Sequence, residues 1–222
     1  MTMPRIDAVL FDLDGTLVDS IPLIADTLRK TLHEFFPSVP VSPTDIDAMI
    51  GPPLSATFAR FTADPHVVDV MIERYRVIYK TCELDSIRIF PRAAKTLREL
   101  KKRGYRLGLV TTKFTASALP SLDHFGLTPL FDVIIGLETV KNHKPHPEPV
   151  LKALDAFPHG QAVMVGDTEG DLVAGRAAGI LTCAVGWSHR RNLLLELKPD
   201  FWIDDYAELI PAIERYDSKE EF

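Results

Sequence analysis

Hydrophobic and polar positions along the chain follow two different rhythms. Residues 6–11 (IDAVLF) form a short apolar run that breaks off at an acid, and a run of that length bounded by polar residues predicts a strand. The next stretch is helical in spacing throughout, with nothing strand-like between Asp19 and Ile89. Ser20 is placed to cap a helix over IPLIADTLRKTLHEFF, which Pro37 and Pro40 end. SPTDIDAMI, opened by Ser42, predicts a shorter helix that stops at Gly51-Pro52-Pro53, and two further helical patterns occupy 54–61 and 65–82. After Pro91 helices and strands alternate. PRAAKTLRELKKRG, closed by Gly104, leads into the strand YRLGLVTT, and a helix over 114–125 leads into FDVIIG. A helix over 146–156 leads into QAVMVGD and a helix over 169–178 into ILTCAVG, while DFWID is a last short strand before a terminal helix. This alternation predicts an α/β fold, a doubly wound parallel sheet with helices on both faces. Residues 1–17 and 89–222 form that Rossmann-like core, and residues 18–88 form an α-helical insertion after the first strand.

Composition narrows the function. The 222 residues suffice for one large domain or a core with an appendage, and 46% hydrophobic with 25% charged residues excludes a disordered or collagen-like chain. The net charge is −6 with no basic block, which argues against a nucleic-acid partner. A protein of this charge that handles an anionic substrate must gather positive charge locally, with a metal as one source. Cys82 and Cys183 have no paired spacing and are expected to be reduced, buried thiols. No signal-peptide pattern opens the chain and no apolar run is long enough to span a membrane, so the expected location is the cytoplasm.

Ligands of parallel α/β sheets bind at the carboxyl ends of the strands. The first strand delivers Asp12 and Asp14 there, followed by Gly15; the next delivers Thr111, Thr112 and Lys113; AVMVG delivers Asp167, with Asp171 four residues on. The loop KNHKPHPEP contributes Lys141 and Lys144. Asp167 and Asp171 share a helix face if a helix begins between them, and Asp12 and Asp14 share a side if the strand continues. Carboxylates converging in this way need a cation, and hard oxygen ligands select Mg²⁺ or a similar ion.

The motifs DLDGT, the Thr after an apolar strand, the Lys of KPHPEP and the run GDTEGD resemble, in their order, the four motifs of the haloacid dehalogenase superfamily of phosphatases. The helical insertion sits where that superfamily carries its four-helix cap. IGPPL, LVTTK, AVGW and PDFWIDDYAEL bring the chain nearest to the phosphoglycolate phosphatase and pyrophosphatase branch. The resemblance implies a phosphomonoesterase in which Asp12 is the nucleophile and Asp14 the general acid and base, acting on a small phosphorylated metabolite. It further implies Mg²⁺ held by Asp12, the Asp14 backbone carbonyl and Asp167, with Asp171 supporting the metal site. Thr111 would donate to a phosphate oxygen and Lys144 would offer its charge to the phosphate and to Asp12, with backbone N–H groups of the Gly15 turn and of Thr112 completing an anion nest. Thr112 stands where many relatives of this branch have Asn, which bears on the substrate and not on the reaction. 2-Phosphoglycolate leads the substrates, with pyrophosphate, sugar phosphates and nucleotides as alternatives.

Other readings of the same residues are weaker. A calcium loop beginning at Asp12 would need a glycine at its sixth position and a glutamate at its twelfth, which here are Leu17 and Leu23. A phosphorylated receiver module has no use for the helical insertion, and a dinucleotide-binding fold would show GxGxxG after the first strand. Asp167 alone could be a helix cap. Lys141, His143 and His146 read as solvent-facing loop residues, Lys113 as surface charge or substrate contact, and the Trp187–Arg191 loop as ordinary loop chemistry. The links at Val18–Ser20 and Ser86–Ile89 are the natural hinges for a lid, with Gly51-Pro52-Pro53 available to the substrate.

Overall fold

The computed structural model describes residues 5–157 and 160–218. The chain divides into two compact units, one formed by the chain up to Val18 together with the chain from Ile89 on, the other by Asp19–Arg88.

The first unit is built on a six-stranded parallel sheet of order β5-β4-β1-β6-β7-β8. Its strands are β1 (Ile6–Phe11), β4 (Arg106–Val110), β5 (Val133–Ile135), β6 (Gln161–Gly166), β7 (Leu181–Val185) and β8 (Phe201–Ile203). β1 is central, and Val9, Leu10 and Phe11 are fully buried because a parallel strand is apolar on both faces. Ala8 and Leu10 pack in one layer with Met164 of β6 and with Val150, Ala153 and Ala174 from α7 (Glu148–Leu154) and α8 (Glu169–Ala177). The remaining helices of this unit are α5 (Ala93–Lys102), α6 (Thr115–His124), α9 (Arg191–Glu196) and α10 (Leu209–Ser218). From β1 the chain builds outward through β4 and β5, then returns to build outward through β6, β7 and β8 on the other side. The winding reverses between β1 and β6, the position at which such sheets open a crevice for ligands.

The second unit holds four helices among the described residues: α1 (Ile21–Phe35), α2 (Pro43–Asp47), α3 (Leu54–Phe58) and α4 (Pro65–Ser86). Leu28, Leu32, Ile46, Phe58, Met71, Tyr75 and Tyr79 are buried, and the Tyr75 and Tyr79 rings stack 5.9 Å apart. Two of the four helices are only five residues long, so this is a pair of long helices with two short ones rather than a regular four-helix bundle. Ser42 caps α2 through a reciprocal box with Asp45. Ser20 stands at the N-cap of α1 but makes no side-chain capping bond; its backbone is already in the helical region (ψ −7) and not in the extended conformation usual for a capping residue. The chain passes between the units in two short strands, β2 (Val18–Asp19) and β3 (Arg88–Ile89), which pair with each other and were too short to show as a pattern. Cys183 is buried as expected and Cys82 is not: it lies on the exposed side of amphipathic α4. No helix among the described residues is long and apolar enough to cross a membrane.

Candidate active site

The site forms where β1 and β6 end side by side. The Asp12 N–H donates to the Val165 carbonyl at 3.0 Å, so the backbone of Asp12 is still pinned to β6 as its side chain leaves the sheet. Asp167 follows Gly166, the last residue of β6, and accepts a hydrogen bond from the Thr16 hydroxyl at 3.0 Å through Oδ1. Its other oxygen, Oδ2, is buried with no hydrogen-bond partner. Asp167 does not cap α8; Thr168 occupies that position.

Lys144 ties the rim together. Its Nζ donates to Asp12 Oδ1 at 2.7 Å, to Asp171 Oδ1 at 2.5 Å and to the Val110 carbonyl at 2.8 Å. An ammonium has three N–H donors, and all three are used on the protein. Asp171 in turn uses Oδ2 to accept from the Thr168 N–H and hydroxyl at 3.0 and 2.7 Å. Both Asp171 oxygens are therefore engaged, and the residue holds Lys144 against the start of α8.

Carboxylate oxygens of Asp12, Asp167 and Asp171 lie within 4.8 Å of one another, and all three residues are buried. Burial pushes the Asp12 carboxyl up to about 7; Lys144 pulls against this while Asp171 and Asp14 add to it. Asp167 is raised well above the carboxylate range, first by burial and then by the Asp12 and Asp171 charges. Burial works against the Lys144 charge, but the Asp12 and Asp171 carboxylates outweigh it and hold its pKa above the ordinary lysine value. Three buried acids facing one lysine leave an excess of negative charge, and the unpartnered Asp167 Oδ2 marks where a cation fits. All-oxygen donors suit a hard divalent ion.

Asp14 stands apart from this cluster, and its Oδ1 accepts from Lys113 Nζ at 3.1 Å. Thr111 is buried, and its Oγ1 accepts from the Lys113 N–H at 3.2 Å, while Thr112 is half-buried beside it. Gly15 differs from expectation. Its N–H donates to the Val18 carbonyl at 2.8 Å and is not available to an anion. What Gly15 supplies is room: its φ is +84, and a Cβ there would overlap the Asp167 carboxylate. Lys141 and His146 are exposed and His143 is half-buried.

Sequence reasoning missed a bracket behind the site. Trp187 Nε1 donates to the Gly15 carbonyl at 3.1 Å, with its ring packed 5.1 Å from Phe90 and 5.0 Å from Tyr206. The Tyr206 hydroxyl donates to the Thr16 carbonyl at 2.9 Å, and the Ser188 hydroxyl to the Asp167 carbonyl at 2.6 Å. The Trp187 loop is thus not ordinary loop chemistry. The available signal was its place at the carboxyl end of β7, next to β6.

A family model described as haloacid dehalogenase-like hydrolase matches residues 9–185. A relative named pyrophosphatase PpaX, from Bacillus cereus, is 39% identical over 213 residues, 94% of this chain and 97% of that one. Among solved structures, a haloacid dehalogenase-like hydrolase from Bacteroides fragilis superimposes with a TM-score of 0.84 at 28% identity, covering 92% of this chain and 100% of that one. A predicted phosphoglycolate phosphatase from Haemophilus somnus gives 0.82 at 28% identity, covering 94% and 98%.

Proposed function

The chain belongs to the haloacid dehalogenase-like hydrolases and is a phosphatase, and from that premise we propose that it hydrolyses a small phosphorylated metabolite through an aspartyl-phosphate on Asp12. The observation that carries this reading is the convergence of Asp12, Asp167 and Lys144 at the ends of two adjacent parallel strands, with one Asp167 oxygen left unpartnered.

The Asp12 carboxylate attacks phosphorus and forms a P–O bond as the bond to the leaving oxygen breaks. Asp14, outside the buried cluster, gives its proton to that oxygen. In the second step Asp14 takes a proton from water, the water oxygen bonds to phosphorus, and the bond to Asp12 breaks, releasing orthophosphate. Lys144 keeps Asp12 oriented and favours its ionised form; with its donors committed to Asp12, Asp171 and Val110, it acts on the nucleophile more than on the phosphate. Mg²⁺ would be held by Asp12 and Asp167, with the Asp14 backbone carbonyl joining them by resemblance to the family, and would supply charge neutralisation for the transferring phosphoryl group. Asp171 supports that site through Lys144. Thr111 lies at the end of β4, where its hydroxyl can donate to a phosphate oxygen, and Thr112 follows it. The relatives at 39% identity bring pyrophosphate to the head of the substrates, ahead of 2-phosphoglycolate.

The test is phosphate release from a panel of pyrophosphate, 2-phosphoglycolate, sugar phosphates and nucleotides, with MgCl₂ and with EDTA. Multiple turnovers that need the metal are expected, with Asp12→Asn slower by roughly 10³-fold or more while its melting transition remains cooperative. Turnover by Asp12→Asn near the wild-type rate would remove Asp12 from the chemistry.

A further inference from the structure

The two lysines of the site are used differently. Lys144 has its three donors on Asp12, Asp171 and the Val110 carbonyl. Lys113 lies three residues beyond the end of β4, and its backbone is fixed on both sides. Its N–H donates to Thr111 Oγ1 at 3.2 Å, and its carbonyl accepts from the Leu137 N–H at 2.9 Å. The adjustable part is the four-carbon stem, which carries Nζ to Asp14 Oδ1 at 3.1 Å. The side chains of Lys113 and Asp14 are 14% and 19% exposed, so this charge pair is largely withdrawn from water yet still reachable.

We infer that Lys113 is a specificity-determining residue whose ammonium binds a second anionic group carried on the leaving group. The inference rests on the assignment of Asp14 to the leaving oxygen. A carboxyl donating to that oxygen lies about 2.7 Å from it, and Lys113 Nζ lies 3.1 Å beyond the carboxyl oxygen. A phosphate or carboxylate one or two bonds past the leaving oxygen closes the remaining gap, and a charge-assisted hydrogen bond forms. A neutral alcohol adds no second negative charge there and leaves the ammonium with its protein partners alone. Lysine is a point charge on a flexible stem without a planar fork, so it accepts a tetrahedral phosphate or a flat carboxylate alike. The substrate class is therefore a phosphate whose leaving group is itself an anion: a diphosphate, or the phosphoryl ester of a short hydroxy acid.

The test compares kcat/KM for pyrophosphate, 2-phosphoglycolate and ethyl phosphate, with MgCl₂, in the wild type, Lys113→Gln and Lys113→Arg. Lys113→Gln is expected to lower the ratio of kcat/KM for an anionic leaving group over ethyl phosphate at least tenfold, and Lys113→Arg to restore part of it. A ratio that falls for pyrophosphate alone, or for 2-phosphoglycolate alone, names which anion Lys113 meets. An unmoved ratio overturns the inference, whatever loss the substrates share. A second measurement needs no turnover: calorimetric binding of pyrophosphate and of orthophosphate to Asp12→Asn with MgCl₂, with and without Lys113→Gln. Pyrophosphate should weaken at least tenfold relative to orthophosphate, and equal weakening counts against Lys113. A wild type that releases no phosphate from any substrate defeats the proposed reaction, and the binding ratio still decides the role of Lys113.

Discussion

Gly15 shows how one missing side chain shapes the site. Its φ of +84 is a region that costs an L-residue roughly 1–2 kcal/mol, and the space its Cβ would fill already holds the Asp167 carboxylate. Gly15→Ala must therefore strain the turn and displace a residue proposed to hold the metal. Urea unfolding should show a loss of about 1–2 kcal/mol or more, and phosphate release should fall at least tenfold with a higher Mg²⁺ requirement. Wild-type values for both would mean that Asp167 moves aside without consequence. The sequence made Asp12, Asp14 and Asp167 legible because strand ends in an alternating α/β pattern point to one rim, and Lys144 through the loop motif that resembles the family's. It did not reveal what Gly15 is for, since the group it makes room for lies far along the chain. Nor did it separate the two lysines: only coordinates show that Lys144 is spent on protein oxygens while Lys113 lies against Asp14.

At the scale of elements, the loop after β7 and the 3₁₀ turn Tyr206–Glu208 hold the turn after β1 from behind. Trp187 and Tyr206 donate to the carbonyls of Gly15 and Thr16, and Thr16 in turn donates to Asp167. Tyr206→Phe keeps the ring between its neighbours but leaves the buried Thr16 carbonyl without its donor, a loss of about 1–3 kcal/mol. The same variant should raise the Mg²⁺ concentration needed for half-maximal rate severalfold, because Thr16 no longer fixes Asp167. A purely structural role would lower stability and leave that metal dependence where it was. The core strands followed from periodicity, since each is an apolar run between helical patterns, whereas their order in the sheet came only with the fold. The bracket did not, because Trp187 and Tyr206 sit in segments too irregular to carry a period, and their partners are backbone carbonyls that leave no trace in composition. β2 and β3 escaped for a related reason: two residues are too few to alternate.

For the molecule as a whole, the buried acids couple folding to pH and to metal. In the unfolded chain Asp12 titrates near 3.8, and in the folded metal-free protein near 7. Between those values the folded state holds a proton that the unfolded state has lost, so stability from this group is full below about 3.8 and disappears as pH rises through about 7. Asp167, also raised, acts in the same direction. Surface carboxylates such as Glu34 and Asp45 are lowered by their hydrogen bonds and act in the opposite sense, with stability lost as pH falls below the ordinary carboxylate range. The interval from pH 5 to 7.5 therefore isolates the buried site, and subtracting the profile of Asp12→Asn removes what the two proteins share. The melting temperature of metal-free wild type, relative to Asp12→Asn, should fall across that interval. MgCl₂ must displace the protons held by Asp12 and Asp167, so the rise in melting temperature it produces should be small at pH 5 and larger at pH 7.5 and above. Thermal melts with MgCl₂ and with EDTA from pH 5 to 8 measure both slopes. A metal-induced shift equal at all pH values would mean that the ion binds away from these carboxylates, because an ion at Asp12 and Asp167 has to compete with their protons.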